Sequence, residues 1–212
     1  PQLVEQNKLF ATVNEHRYYS IGSFKRIKLT EEFFKPKRVV FLDRDGTINK
    51  RPARACYIEK PEDFVWLPGA IEAINILKKN GFLVIIITNQ PGIARGNLTE
   101  EMLHCIHEKM RADLLKERTE IDDIFYCPHN WDDGCFCRKP NPGMIFEAQK
   151  KYSLNLSECY LIGDDERDIA AGEAAGCICR MVDEKYTVLD VAKEIVSLEK
   201  KEKIHDYFKD TP

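Results

Sequence analysis

Three short runs of this chain are apolar without a break: Val39–Leu42, Phe82–Ile87 and Tyr160–Ile162. A strand with one face in water alternates apolar and polar residues, whereas a strand covered on both faces does not. Helical patterns separate these runs. Pro68-Gly69 opens a helix through Asn80, with Ile71, Ile74 and Leu77 on one face and Gly81 as its stop. Thr99-Glu-Glu-Met resembles a capping box and starts a helix to about Arg118. Ile124–Cys127 reads as a third strand, after which Asn141-Pro142 caps and starts a helix to about Tyr152. Cys159–Gly163 is a fourth strand, Glu166–Ala175 a helix closed by Gly176, and Cys177–Val182 a fifth strand. A last helix spans Thr187–Leu198, before a charged tail over 199–212 expected to be mobile. Such β-α repeats with short links predict an α/β fold with a doubly wound parallel sheet over 38–198. Ligands of such sheets bind at the carboxyl ends of the strands.

Residues 1–37 break the pattern. Phe10–Ile21 reads as one or two strands and Phe24–Phe34 as a short helix, so this segment is expected to be an appendage or the end of a preceding domain. The chain starts at Pro1 without a methionine, as expected of a piece of a longer polypeptide. Its 212 residues, 43% of them hydrophobic, are enough for one domain with a real core. A net charge of −3 points to neither a nucleic-acid nor a membrane surface, and the longest apolar run is far too short to span a bilayer. With no charged-then-apolar leader, a cytoplasmic setting is expected, in which the eight cysteines are thiols or metal ligands.

Every polar cluster falls at a strand end. Asp43, Asp45 and Thr47 follow the first strand, and Thr88, Asn89 and Gln90 the second. Arg138-Lys139-Pro140 comes after the third, and Asp164, Asp165 and Asp168 after the fourth. Between the third strand and Lys139 lie Cys127, His129, Cys135 and Cys137. Three thiolates and one imidazole saturate a tetrahedral Zn²⁺ and leave no open position, which makes a structural zinc site that would hold Lys139 in place. His104 and His107, three apart on a helix, are expected on a solvated face rather than as a further metal pair. Cys177 and Cys179 are expected to be core residues.

In order and motif for motif, these clusters resemble the haloacid dehalogenase superfamily of aspartate-nucleophile phosphohydrolases, over roughly residues 38 to 182. The resemblance implies Asp43 as nucleophile, forming an aspartyl-phosphate, and Asp45 as general acid and then base. It implies Thr88 and Lys139 as the groups that offset phosphoryl charge. Mg²⁺ would be held by Asp43, the backbone carbonyl of Asp45 and Asp164. Asp165 and Asp168 would orient Lys139, or simply form an acidic pair at a helix N-terminus. Connections as short as those after the first and third strands leave no room for a folded cap, so the site is expected to be capless.

A zinc loop of this kind resembles one branch of the superfamily, that of the heptose bisphosphate and histidinol-phosphate phosphatases. The stretches Phe41–Asn49, Thr88–Gly96 and Cys135–Pro140 look more like the heptose type. That branch implies release of the 7-phosphate of D-glycero-D-manno-heptose 1,7-bisphosphate, with a small sugar bisphosphate as partner. Substrate contacts are expected from Thr47, Asn89, Arg95 and Arg138, with Arg51 and Arg54 either on a distal phosphate or solvated. The alternatives are a histidinol-phosphate phosphatase, a phosphomutase, and a non-catalytic phosphate-binding scaffold of a fused protein. Tyr18–Ser23 faintly resembles the end of sugar-nucleotidyltransferase domains, which implies a fused nucleotidyltransferase upstream.

Overall fold

A computed structural model of the chain describes residues 21–35, 37–53 and 56–209. The chain divides into two compact units, Pro1–Lys35 and Pro36–Pro212. In the first, the expected helix is present as α1 (Phe24–Phe34), with Ser23 accepting a hydrogen bond from the Arg26 amide at its start. The strands expected over Phe10–Ile21, save Ile21 itself, and the first half of the Tyr18–Ser23 stretch lie outside the described residues.

The second unit is built on a five-stranded sheet: β1 (Val39–Leu42), β2 (Leu83–Asn89), β3 (Asp123–Cys127), β4 (Tyr160–Gly163) and β5 (Ile178–Met181). All pairings are parallel and the spatial order is β3-β2-β1-β4-β5. The chain therefore winds outward in both directions from β1, and its topological switch lies between β1 and β4. Helices α2 (Ala70–Lys79), α3 (Glu100–Lys116), α4 (Gly143–Tyr152), α5 (Glu166–Ala175) and α6 (Val188–Lys209) connect and flank the strands.

The unbroken apolar runs are explained by two cores, one on each face. Val40, Leu42, Val84 and Ile86 pack with Ile74 and Leu77 of α2, Ile106 and Met110 of α3, and Val191 and Ile195 of α6. The intervening residues Val39, Phe41, Ile85 and Ile87 pack with Met144, Ile145 and Ala148 of α4 and Ala171 of α5. Every side chain of β1 is fully buried. At roughly 1.5–3 kcal/mol for each buried Val, Ile, Leu or Phe, slipping β1 by one residue would sacrifice complementarity on both faces at once.

The ends of elements differ from the sequence reading where capping decides them. Thr99 accepts from the Met102 amide and Gly176 closes α5 with φ of 82°. Asn141, expected to cap α4, instead donates from Nδ2 to the Cys135 carbonyl, and Pro142 takes the cap position. The last helix does not stop at Leu198 but continues to Lys209. Between Asn49 and Gly69 the described residues hold only a single 3₁₀ turn, Pro61–Asp63, so no cap domain is inserted after β1.

Asp122 ties the edge of the sheet together. Its Oδ2 accepts from the Val84 amide at 2.7 Å, and both its oxygens accept from Lys78 Nζ at 2.7 Å. Asp122→Ala would leave that amide unpaired and the ammonium with only Glu120, 3.8 Å away. It is expected to lower stability by about 1–3 kcal/mol in urea denaturation, without changing turnover.

Candidate active site

The strand ends expected to carry chemistry do converge. Asp43, Asp45, Thr88, Asn89, Arg138, Lys139 and Asp168 all line one cleft of about 480 Å³. At its floor Lys139 Nζ donates to Asp43 Oδ1 at 2.6 Å and to the Ile87 carbonyl at 3.0 Å, and it pairs with Asp168 Oδ1 at 2.6 Å. All three residues are buried. Burial opposes the charge on Lys139, but Asp43 and Asp168 outweigh it and raise the ammonium above its ordinary range. Burial dominates at Asp43 instead, lifting its carboxyl to about 7 against the opposing pull of Lys139.

Asn89 lines the cleft and also fixes the lysine. Its Oδ1 accepts from the Lys139 amide and its Nδ2 donates to the Lys139 carbonyl, both at 3.0 Å. Each end of the amide is thereby engaged, with one Nδ2 proton left over. Thr88 is buried and accepts from Gln90 Nε2 at 2.8 Å, which leaves its own proton to donate elsewhere. Thr47, also buried, donates to Asp164 Oδ1 at 3.2 Å and so positions that carboxylate. Asn89 and Thr47, expected to contact substrate, thus also make these internal contacts.

Asp45 is gripped from four directions. Arg44 donates through Nε to Oδ1 and through Nη2 to Oδ2, Asn49 donates to Oδ1 at 2.9 Å, and Gln90 donates to Oδ2 at 3.0 Å. Burial alone would raise this carboxyl, yet the Arg44 charge and these hydrogen bonds hold it below the ordinary carboxylate range. Arg44 is fully buried, and its remaining Nη1 donates to His107 Nε2 at 3.3 Å. His107 is therefore buried against Arg44 rather than on a solvated face, while His104 is exposed as expected.

Carboxylate oxygens of Asp43, Asp164 and Asp168 lie within 4.8 Å of one another, a hard donor set suited to a divalent cation. Asp168 is otherwise committed: its Oδ1 holds Lys139 and its Oδ2 accepts from the Asp165 amide in a capping box that starts α5. Asp165 does not reach Lys139 and instead accepts from Arg167. A cationic side chain already lies against the other expected ligands. Arg51 donates from Nε to the Asp45 carbonyl at 3.3 Å and pairs with Asp164 Oδ2 at 2.8 Å. Gly46 makes room here: with φ of 105°, a Cβ on it would sit 2.0 Å from Asp164 Oδ2.

The four soft ligands also assemble. Cys127 Sγ lies 3.6 Å from Cys135 Sγ and 3.3 Å from Cys137 Sγ, and His129 Nδ1 lies 3.6 and 3.2 Å from Cys127 and Cys137. A tetrahedron with Zn–S bonds of ~2.3 Å has edges of ~3.8 Å, so the cluster has the right size. Burial, reinforced by the neighbouring thiols, pushes the Cys127 thiol well above its ordinary value, which disfavours a bare thiolate there. Gly143 lets α4 close on this loop, since a Cβ would meet the Phe136 carbonyl oxygen at 2.4 Å.

Of the expected outer arginines, Arg138 lines the cleft and donates to the His129 carbonyl at 3.3 Å. Arg95 donates to Oη of Tyr57, which lines the cleft, at 2.6 Å and to Asn130 Oδ1 at 2.9 Å. Arg54 lies outside the described residues. Sequence reasoning assigned no role to Arg44, Gln90 and Arg167, and placed His107 on a solvated face. A cation between two functional acids was the available signal for Arg44; for His107 there was none.

This fold and site belong to a known class of phosphate-transfer hydrolases. The family model for haloacid dehalogenase-like hydrolases matches residues 6–176, and the chain belongs to that family. It is 44% identical to D-glycero-alpha-D-manno-heptose-1,7-bisphosphate 7-phosphatase of Photorhabdus laumondii, over 66% of this chain and 78% of that protein. It is 39% identical to the beta-anomer enzyme of Bordetella bronchiseptica, over 66% of this chain and 77% of that protein. The crystal structure of D,D-heptose 1,7-bisphosphate phosphatase from B. bronchiseptica, complexed with magnesium and phosphate, superposes with a TM-score of 0.71 at 32% identity. That match covers 76% of this chain and 98% of the other. No helix among the described residues is long and apolar enough to cross a membrane.

Burial and the charge of Arg44 push His107 down from its ordinary 6.5 to about 3. Between those values the unfolded chain binds a proton that the folded one does not, so stability falls as pH drops below 6.5. The loss from pH 7.5 to 5.0 is expected to be about 2 kcal/mol smaller in His107→Gln, as measured by denaturation at the two pH values.

Proposed function

We propose that this chain is a Mg²⁺-dependent phosphatase that removes the 7-phosphate of D-glycero-D-manno-heptose 1,7-bisphosphate through an aspartyl-phosphate. The observation that carries the reaction type is the buried Asp43–Lys139–Asp168 cluster with Asp45 two residues along the same turn. The substrate rests on the names of the relatives. Asp43 attacks phosphorus. Asp45 gives a proton to the leaving sugar oxygen, then takes one from the water that hydrolyses the aspartyl-phosphate. Lys139 spends its protons on Asp43, Asp168 and the Ile87 carbonyl, so it acts on the phosphoryl group through its charge. Thr88 donates its free proton to a phosphoryl oxygen.

Asp43, Asp164 and the Asp45 carbonyl would hold Mg²⁺, which neutralises charge between carboxylates and phosphate. Arg51, half exposed on a long stem, stands in as the cation against two of these groups and would swing away. Arg138 and the freed Arg51 are suited to the distal phosphate. Cys127, His129, Cys135 and Cys137 would hold a structural Zn²⁺ that anchors the loop ending at Lys139.

Phosphate release from the two anomers of the heptose bisphosphate, set against histidinol phosphate, tests the substrate. Release from at least one anomer is expected to exceed that from histidinol phosphate by at least tenfold. Brisk histidinol phosphate cleavage with neither anomer turned over would replace the substrate assignment. Asp43→Asn is expected to abolish turnover, and full activity in that variant would sink the mechanism.

Metal analysis of protein purified from zinc-supplemented growth is expected to find about one Zn per chain. Cys137→Ser should lose it, and wild-type protein free of zinc would refute the site.

A further inference from the structure

The contacts around Asp45 run further than the cleft. Its carboxylate is bound on both oxygens by Arg44, and the far end of that guanidinium is bound by His107 on α3. Arg44 and His107 are both buried, and 63 residues of chain separate them. A guanidinium that grips a carboxylate with one edge can still rotate about its own axis and slide along it. A third contact at Nη1 removes that freedom. His107 makes this contact as an acceptor through Nε2, which requires the neutral ring with its proton on Nδ1.

We propose that His107 and Arg44 are positioning residues for the proton transfer carried by Asp45, and that the histidine acts by locking the guanidinium that orients that carboxyl group. The proposal rests on the assignment of Asp45 as general acid. Its chemistry makes a specific demand. When the P–O bond to a sugar breaks, its electron pair goes to an alkoxide oxygen that needs the proton of Asp45. An aryl oxygen of low basicity leaves with the same electron pair and no proton. Damage to the orientation of Asp45 therefore slows phosphoryl transfer from alkyl phosphates selectively, while any slowing of aspartyl-phosphate hydrolysis is common to both substrates. The ratio kcat/KM reports transfer and not that hydrolysis, so it separates this from general damage to the fold, which slows both classes alike.

The test compares wild type, His107→Leu and His107→Gln on two substrates. One is the alkyl phosphate monoester that the wild type cleaves best, and the other is p-nitrophenyl phosphate. His107→Leu removes the acceptor, and His107→Gln retains one. In His107→Leu the kcat/KM for the alkyl phosphate is expected to fall at least tenfold. Its kcat/KM for p-nitrophenyl phosphate should fall less than threefold. His107→Gln should recover most of the lost alkyl turnover. Equal losses on both substrates, or no loss on either, would overturn the proposal.

Arg44→Lys provides a second arm should His107→Leu fail to fold. A lysine ammonium keeps the charge but cannot span Asp45 and His107 together. It should show the same selective loss, and a loss equal on both substrates again counts against the proposal. A wild type that cleaves other alkyl phosphates but neither heptose anomer would end the heptose reading and leave this comparison intact.

Discussion

The buried ammonium of Lys139 is the contact on which the site depends. It collects Asp43 from the end of β1, the Ile87 carbonyl from β2 and Asp168 from α5, while Asn89 of β2 clasps its own backbone. The end of β1, the strand β2 and the first turn of α5 after β4 are thereby fixed to one nitrogen, carried by the loop after β3. Removing two carboxylates and an ammonium from water costs several kcal/mol per ion before their mutual attraction is counted. Such a cluster is therefore a poor source of stability. It does, however, leave the nucleophile a single geometry, because any departure would strand a buried charge.

Much of this was legible in the sequence, for reasons that can be named. The apolar runs of β1, β2 and β4 lack alternation because helices cover both faces, and that alone selects a parallel, doubly wound sheet. Asp43, Lys139 and Asp164 stood out because such sheets place ligands at their carboxyl ends. What stayed hidden depended on contacts between distant residues. His107 sits on the same helical pattern as the exposed His104, and only Arg44 arriving from β1 distinguishes them. Asn141 looked like a helix cap, yet its amide is taken by the backbone of the cysteine loop, at the Cys135 carbonyl. The continuation of α6 past Leu198 was missed because Glu199–Lys203 offers no apolar stripe from which to read a period.

Arginine placement follows the same logic. All of the arginines singled out at the site were read as candidates for a phosphate. Arg51 proved to rest on acidic groups, and Arg95 on a tyrosine and an asparagine. Arg138 lines the cleft from the loop that the cysteine and histidine cluster constrains. Fixing that loop places Lys139 and Arg138, adjacent in sequence, on the floor and wall of one cleft. The same feature thus serves both the reacting phosphate and whatever lies beyond it.

The two aspartates of the β1 turn are set against each other, and against the roles proposed for them. Asp43, which must be ionised to attack, is raised to about 7 by burial; Asp45, which must carry a proton, is lowered by Arg44, Asn49 and Gln90. Groups whose environments pull apart in this way mark an acid–base assignment, but here the direction is that of the chain without its ligands. A divalent cation beside Asp43 favours its anion, and a phosphate dianion beside Asp45 favours its acid. In the proposed reaction the metal and the phosphate therefore oppose the shifts that burial and the four donors impose on the two carboxyl groups. This accounts for the four donors on Asp45: they stabilise its resting charge and return it to the basic form that the water-activating half of the reaction requires.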